Sequence, residues 1–140
     1  MHIIKDNSVA ERIKNNLGKE YAKGRPDVHV SDLVLCMRQA LYRKLQPLPP
    51  TNIEIGFFLD GSRRHLILQS IYGRGIIERK VELEGVKGSI DIDDEGIPIE
   101  FKSTRSNLSR KQVSDHWVRQ LIYYMLAINS TNSWLYEFCL

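Results

Sequence analysis

The spacing of apolar and polar residues changes twice along the chain, and the changes mark out its elements. Before residue 73 apolar positions recur at helical intervals. Ser8-x-x-Glu11 has the spacing of a capping box, and Gly24 followed by Pro26 supplies a stop, which predicts a first helix. Ser31-Asp32 opens a second helix that runs through Leu45, and Pro47, Pro49 and Pro50 end it in a rigid connector. A third helix is expected over 53–72, closed by Gly73 and Gly75; Gly56 and Gly61 weaken its first half.

From residue 76 the period becomes two. Residues 76–84 put Ile77, Val81 and Leu83 on one side and Glu78, Lys80, Glu82 and Glu84 on the other. Residues 86–93 and 97–103 alternate again across a turn at Asp94-Glu95-Gly96. Helical spacing then returns: Ser109-x-x-Gln112 opens a long helix to about Asn129, and 133–140 read as a last strand. The order ααα-βββ-α-β predicts an α/β (α+β) fold with a mixed central sheet flanked by helices.

Composition narrows the class. The chain has 140 residues, 42% of them hydrophobic, enough to build a core and to exclude disorder. No apolar run approaches the ~20 residues of a membrane span, and the opening MHIIKDNSVAERIKNN is too charged for a signal peptide. Cys36 and Cys139 are too few for a disulfide scaffold. A single soluble, cytoplasmic domain with no membrane partner is expected.

Net charge is only +3, so distribution matters more than total. Residues 1–50 carry nine Lys/Arg against five Asp/Glu, whereas 91–100 hold five carboxylates and no base. A basic arm beside an acidic knot suits a protein that holds a polyanion and a divalent cation together, although an ordinary solvated surface has the same composition.

The hairpin around residues 94–96 carries the chemistry. With Glu95-Gly96 as a two-residue turn, positions summing to 191 pair, so Asp91 lies across from Glu100. Burying Ile90, Ile92, Ile97, Ile99 and Phe101 sends Asp91, Glu100 and Lys102 to the other face. Facing carboxylates about 4.5–5.5 Å apart at Cβ repel. A bound Mg²⁺ or Mn²⁺, which takes carboxylate oxygens, gives a reason for the arrangement. Lys102 on the same face meets the other need of phosphodiester hydrolysis, orienting water and offsetting transition-state charge. Taken alone, the same face reads equally well as the solvent side of a hairpin.

Three more residues bear on the choice. His65 shares a helical face with Ser62 and Gln69 and is a candidate third ligand; singly, a helical histidine is more often structural. Gln120 and Tyr124 are i,i+4 neighbours on an apolar helix, so their polar ends meet.

Taken together, Gly61-x3-His65, Gly88-x-x-Asp91, Glu100-x-Lys102 and Gln120-x3-Tyr124 stand in the order found in the RecB-like branch of the PD-(D/E)XK nucleases, which this chain resembles over about 60–125. Val30-Ser-Asp-Leu-Val-Leu-Cys36-Met-Arg38 through Tyr42 is similar to a segment of the CRISPR-associated iron–sulfur exonucleases of that branch. The resemblance implies a restriction-endonuclease-like core over 53–140, with 1–50 as its helical N-terminal part. It implies that His65, Asp91, Glu100 and the Phe101 carbonyl bind one or two divalent ions. Lys102 is then the catalytic lysine, acting with Glu100 and Asp91, and Gln120 and Tyr124 sit beside the site, contacting the substrate or positioning that lysine. The implied substrate is DNA, single-stranded or with free ends.

In the iron–sulfur subgroup the cysteine matching Cys36 ligates a [4Fe–4S] cluster. Two cysteines cannot supply four thiolates, so no cluster is expected in this chain. Cys36 is then either a buried relic or one ligand of a site completed elsewhere, and Cys139 is read as core. Arg63, Arg64, Arg105, Arg110, Lys111 and Arg119 are candidates for holding backbone phosphates. Trp117 or Tyr123 is a candidate platform for an unpaired base, and Trp117 fits plain core at least as well. The rival readings are a non-catalytic nucleic-acid-binding module, or a resolvase-like endonuclease on junctions or duplex acting as a homodimer. A homo-oligomer or a partner protein fits each of them.

Overall fold

The computed structural model describes residues 8, 11, 12, 15–17, 19, 26–104 and 113–139, with the Cys139 side chain outside that set. The described residues between 8 and 19 are helical. After them come β1 (Val28–His29), α1 (Val30–Val34), α2 (Met37–Leu45), α3 (Asn52–Tyr72), β2 (Ile76–Leu83), β3 (Val86–Asp94), β4 (Ile97–Thr104), α4 (Asp115–Ile128) and β5 (Trp134–Cys139). The fold is mixed α+β around one mixed five-stranded sheet. No helix among the described residues is long and apolar enough to cross a membrane.

Local chemistry sets the long helix α3. Thr51 Oγ1 accepts from the Glu54 N–H at 3.2 Å, and the Glu54 carboxylate accepts from the Thr51 N–H at 2.8 Å, closing a capping box. At the other end Gly73 takes φ 71° and returns its N–H to Gln69 O, a left-handed cap that glycine adopts without steric cost. Gly56 and Gly61 do not interrupt the helix.

The three central strands form a meander joined by two-residue turns. Glu84-Gly85 and Glu95-Gly96 both have positive φ at each position, which is the geometry whose twist matches antiparallel strands. The second turn fixes Asp94↔Ile97, Asp93↔Pro98 and Ile92↔Ile99, the register expected from the sequence. β4 and β5 run parallel, from Ile99↔Trp134 to Thr104↔Cys139, with α4 in the crossover between them. Strand β3 is the hub. Along one edge it pairs with β2 from Val86 to Asp93. Its other edge is therefore shared, by β1 at Val86 and Lys87 and by β4 from Ile92 to Asp94. Residues 88–91 lie in the gap between those two partners.

The core lies against these strands. Ile92, Ile99 and Phe101 are buried with Leu68 and Tyr72 of α3 and Phe138 of β5 packed on them. Ile90 is buried with Val30 of α1 and Tyr124 of α4.

The structure corrects the expected elements in three places. The helix expected from Ser31 to Leu45 breaks at Leu35-Cys36, where both residues leave helical geometry. Lys44 Nζ reaches Asp32 Oδ2 at 3.3 Å. A straight helix holds residues twelve apart at about 18 Å, so α2 must fold back on α1. The two-residue β1 was not expected, because so short a strand has no periodicity to read. Finally, α4 begins at Asp115: Val113 and Ser114 are not helical, and the Ser114 carbonyl accepts the first helical N–H groups, from Trp117 and Val118. The Ser109–Gln112 box lies outside the described residues, as does the Gly24 stop.

Candidate active site

Four elements meet where β3 and β4 part: the two strands, α3 and α4. The β3–β4 ladder ends at Ile92↔Ile99, one pair short of Asp91 and Glu100. Asp91 completes the connection with its side chain instead, its Oδ2 accepting from the Phe101 N–H at 2.8 Å. The N–H and C=O of a strand residue point to the same edge, so the Phe101 carbonyl is also turned toward β3. Asp91 is 6% exposed and Glu100 2% exposed. Two carboxylates taken out of water side by side are costly without a compensating charge.

Compensation comes from β4 and α3. Lys102 Nζ donates to Glu100 Oε1 at 2.5 Å and to Gln120 Oε1 at 3.0 Å. The Gln120 Nε2 then donates to the Tyr124 hydroxyl at 2.9 Å. A lysine, an amide and a phenol from β4 and α4 thus form one chain ending on Glu100. From α3, His65 Nδ1 stands 3.3 Å from Asp91 Oδ1. His65, Asp91, Glu100, Lys102, Gln120 and Tyr124 are therefore brought to one place.

The charges respond accordingly. Burial pushes the Glu100 carboxyl up to about 7, and the Asp91 charge adds to the rise against Lys102 and His65. The hydrogen bond to Asp91 raises the His65 imidazole above its usual value, against the cost of burial. Burial, with Glu100 beside it, raises Tyr124 and keeps its phenol protonated.

Asp91, Glu100 and His65 offer oxygen and nitrogen donors of the kind a divalent cation takes, and one of those oxygens is unpaired. Glu100 Oε2 is buried with no hydrogen-bond partner among the described residues. A buried oxygen left unpaired is rare in folded proteins. Among the described residues no three His, Cys, Asp or Glu side chains already stand together as a metal cage. Both Asp91 oxygens are engaged, one by His65 and one by the Phe101 N–H.

Glycine at position 88 has a packing reason. A Cβ there would come within 2.7 Å of Tyr124 Cε1 and 3.2 Å of Tyr123 Cε1. Gly88→Ala is expected to push Tyr124 off Gln120 and to destabilise the fold by about 1–3 kcal/mol, as overpacking does. Urea unfolding checks this; an unchanged midpoint would contradict it.

Other expected site residues fare differently. Arg63 is exposed on α3, while Arg64 is paired with Asp60 at 2.7 Å. Arg119 is exposed on α4. Arg105, Arg110 and Lys111 lie outside the described residues. The Tyr123 hydroxyl accepts from the Leu83 N–H and donates to the Val86 carbonyl, clamping the β2–β3 hairpin. Trp117 is half-buried, edge-on to His116, rather than plain core. Cys36 is exposed at the start of α2, so it is not a buried relic. The acidic knot also divides, because Asp93 bonds the Gly96 N–H at 2.7 Å and pairs with Arg79, serving the turn.

Sequence reasoning gave no role to Gln69, which is 2% exposed. Its Nε2 donates to the Asp91 carbonyl at 3.3 Å. The available signal was its position one turn after His65. Comparison with family models, with curated proteins and with solved structures found no match to this chain.

Proposed function

We propose that the chain is a divalent-cation-dependent deoxyribonuclease of the PD-(D/E)XK type, RecB-like branch, acting on single-stranded or free-ended DNA. The observation that carries the reading is the convergence of His65, Asp91, Glu100 and Lys102, from a helix and two adjoining strands, around an unpaired Glu100 oxygen. A meander, a helical crossover and a parallel fourth strand, with the acidic pair where the meander opens, support the restriction-endonuclease-like core.

Asp91, Glu100, His65 and the Phe101 carbonyl would hold Mg²⁺ or Mn²⁺. Bound there, the cation supplies Lewis-acid polarisation of the scissile phosphate and acidifies the attacking water. The rest falls to the chain's own groups. Lys102 is fixed at two points, by Glu100 and by Gln120, so its ammonium needs little reorganisation to orient the nucleophile and offset developing negative charge. Gln120 is itself held by Tyr124, which makes it a strut for that lysine. Arg63 on α3 is available to a backbone phosphate.

The test is cleavage of 5′- and 3′-labelled single-stranded DNA with Mg²⁺ or Mn²⁺, beside Glu100→Ala. Metal-dependent products from the wild type alone are expected. Equal absence of products from both proteins, with every metal tried, would sink the reading.

A further inference from the structure

Glu78 sits inside β2, yet its φ is 53°, in the left-handed region. No turn requires this. On either side the strand keeps one register against β3, with Ile77↔Ile92 before it and Arg79↔Ile90 after it. The only pair missing from that ladder is Glu78 opposite Asp91. A left-handed residue other than glycine within a strand is strained, and it persists only where its surroundings over-determine it.

The Glu78 carboxylate is held by Lys80, 3.7 Å away, and by a set of hydrogen bonds that ends at Asp91. Glu78 Oε1 accepts from Gln69 Nε2 at 2.9 Å, and Glu78 Oε2 accepts from Ser89 Oγ at 2.6 Å. The same Gln69 nitrogen donates to the Asp91 carbonyl. A carboxylate and a carbonyl are both acceptors, so only the NH₂ end of the Gln69 amide fits between them. One buried amide thereby ties the strained β2 residue to the main chain of Asp91, and both to α3 one turn after His65.

We propose that Glu78 is a positioning residue for the cation site. Its carboxylate fixes the orientation of the Gln69 amide, and that amide holds the Asp91 backbone so that the Asp91 carboxylate faces His65 and the Phe101 N–H. Glu78 touches neither cation nor substrate. The strain at φ 53° is the cost of aiming its side chain at Gln69 rather than along the ladder. This inference rests on the nuclease reading, because the group being positioned is a ligand in that reading.

The test compares Glu78→Ala, Glu78→Gln and Glu78→Gly with the wild type by calorimetric Mn²⁺ titration. Glu78→Ala is expected to weaken Mn²⁺ binding about 10–100-fold, the usual cost of losing a partner behind the ligands. In cleavage it raises the KM for metal more than it lowers kcat. Glu78→Gln keeps an oxygen acceptor for Gln69 and stays close to wild type. Glu78→Gly removes the strain while removing the carboxylate. It melts no lower than Glu78→Ala and still loses affinity, which separates positioning from folding. Wild-type affinity in Glu78→Ala or Glu78→Gly overturns the proposal, and so does an equal loss in Glu78→Gln. A wild type that binds no Mn²⁺ at all overturns the nuclease reading, and this inference with it.

Discussion

Lys102→Met is expected to lower DNA cleavage by about 10²–10³-fold while leaving Mn²⁺ binding intact or tighter. The two effects part because Lys102 is not a ligand. Its ammonium lies against Glu100 Oε1 and Gln120 Oε1, and in the proposed reaction it would serve the developing charge. It also competes with a cation for the same carboxylate. Removing it strips charge stabilisation from the transition state and removes a like charge from beside the cation. Methionine keeps the length and apolar stem of the side chain, so the packing of β4 is retained. Single-turnover cleavage beside calorimetry separates the two quantities. Loss of Mn²⁺ binding in step with loss of cleavage would mean that Lys102 organises the site rather than acting in the reaction.

The metal-free chain is expected to lose stability as pH rises from about 5 to 8, and saturating Mn²⁺ is expected to restore it. Glu100 drives the slope. Its carboxyl is raised from 4.5 to about 7 by burial and by Asp91. The folded chain therefore keeps a proton that the unfolded chain releases from about pH 4.5 upward. The stability linked to that proton is present below pH 4.5 and is lost as pH rises through 7, a change of roughly 3 kcal/mol.

His65 acts in the same direction. Its raised imidazole contributes below 6.5 and loses that contribution as pH climbs through its folded value. The lowered carboxyls of Asp27, Glu54 and Glu78 contribute above their ordinary values of 3.8 to 4.5, so they do not tilt this window. Cation binding needs ionised carboxylates and neutral imidazole, so Mn²⁺ affinity rises with pH and offsets the loss. Urea unfolding at pH 5, 6, 7 and 8, with and without Mn²⁺, reads both effects. A metal-free stability that is flat or rising across this range would contradict the assignment of Glu100.

The hairpin that carries Asp91 and Glu100 was legible because two local signals agree there. Strict alternation from Ile90 to Phe101 set the faces, and Glu95-Gly96 set the register, so Ile92↔Ile99 and the grouping of Asp91, Glu100 and Lys102 followed. Alternation did not disclose that the ladder stops one pair short of Asp91, because that opening arises from burying two carboxylates and from the bond to the Phe101 N–H. The break at Leu35-Cys36 was hidden for a related reason: the pattern through Leu45 is helical throughout, and the fold-back is imposed by contacts such as Lys44 with Asp32. Tyr123 read as a candidate ring for stacking, whereas its hydroxyl closes a hairpin forty residues earlier in the chain. Gln69 and Glu78 were given no role because neither belongs to a motif. Their part depends on a backbone angle that residue type does not encode.

In the proposed site an aspartate, a glutamate and a histidine drawn from separate elements share one cation. Calorimetric titration of Mn²⁺ into the wild type and into Asp91→Ala tests it most directly. Saturable binding by the wild type, lost or weakened by at least about 100-fold in the variant, is the predicted result. Equal affinity in the two proteins, or no binding to the wild type, would contradict it.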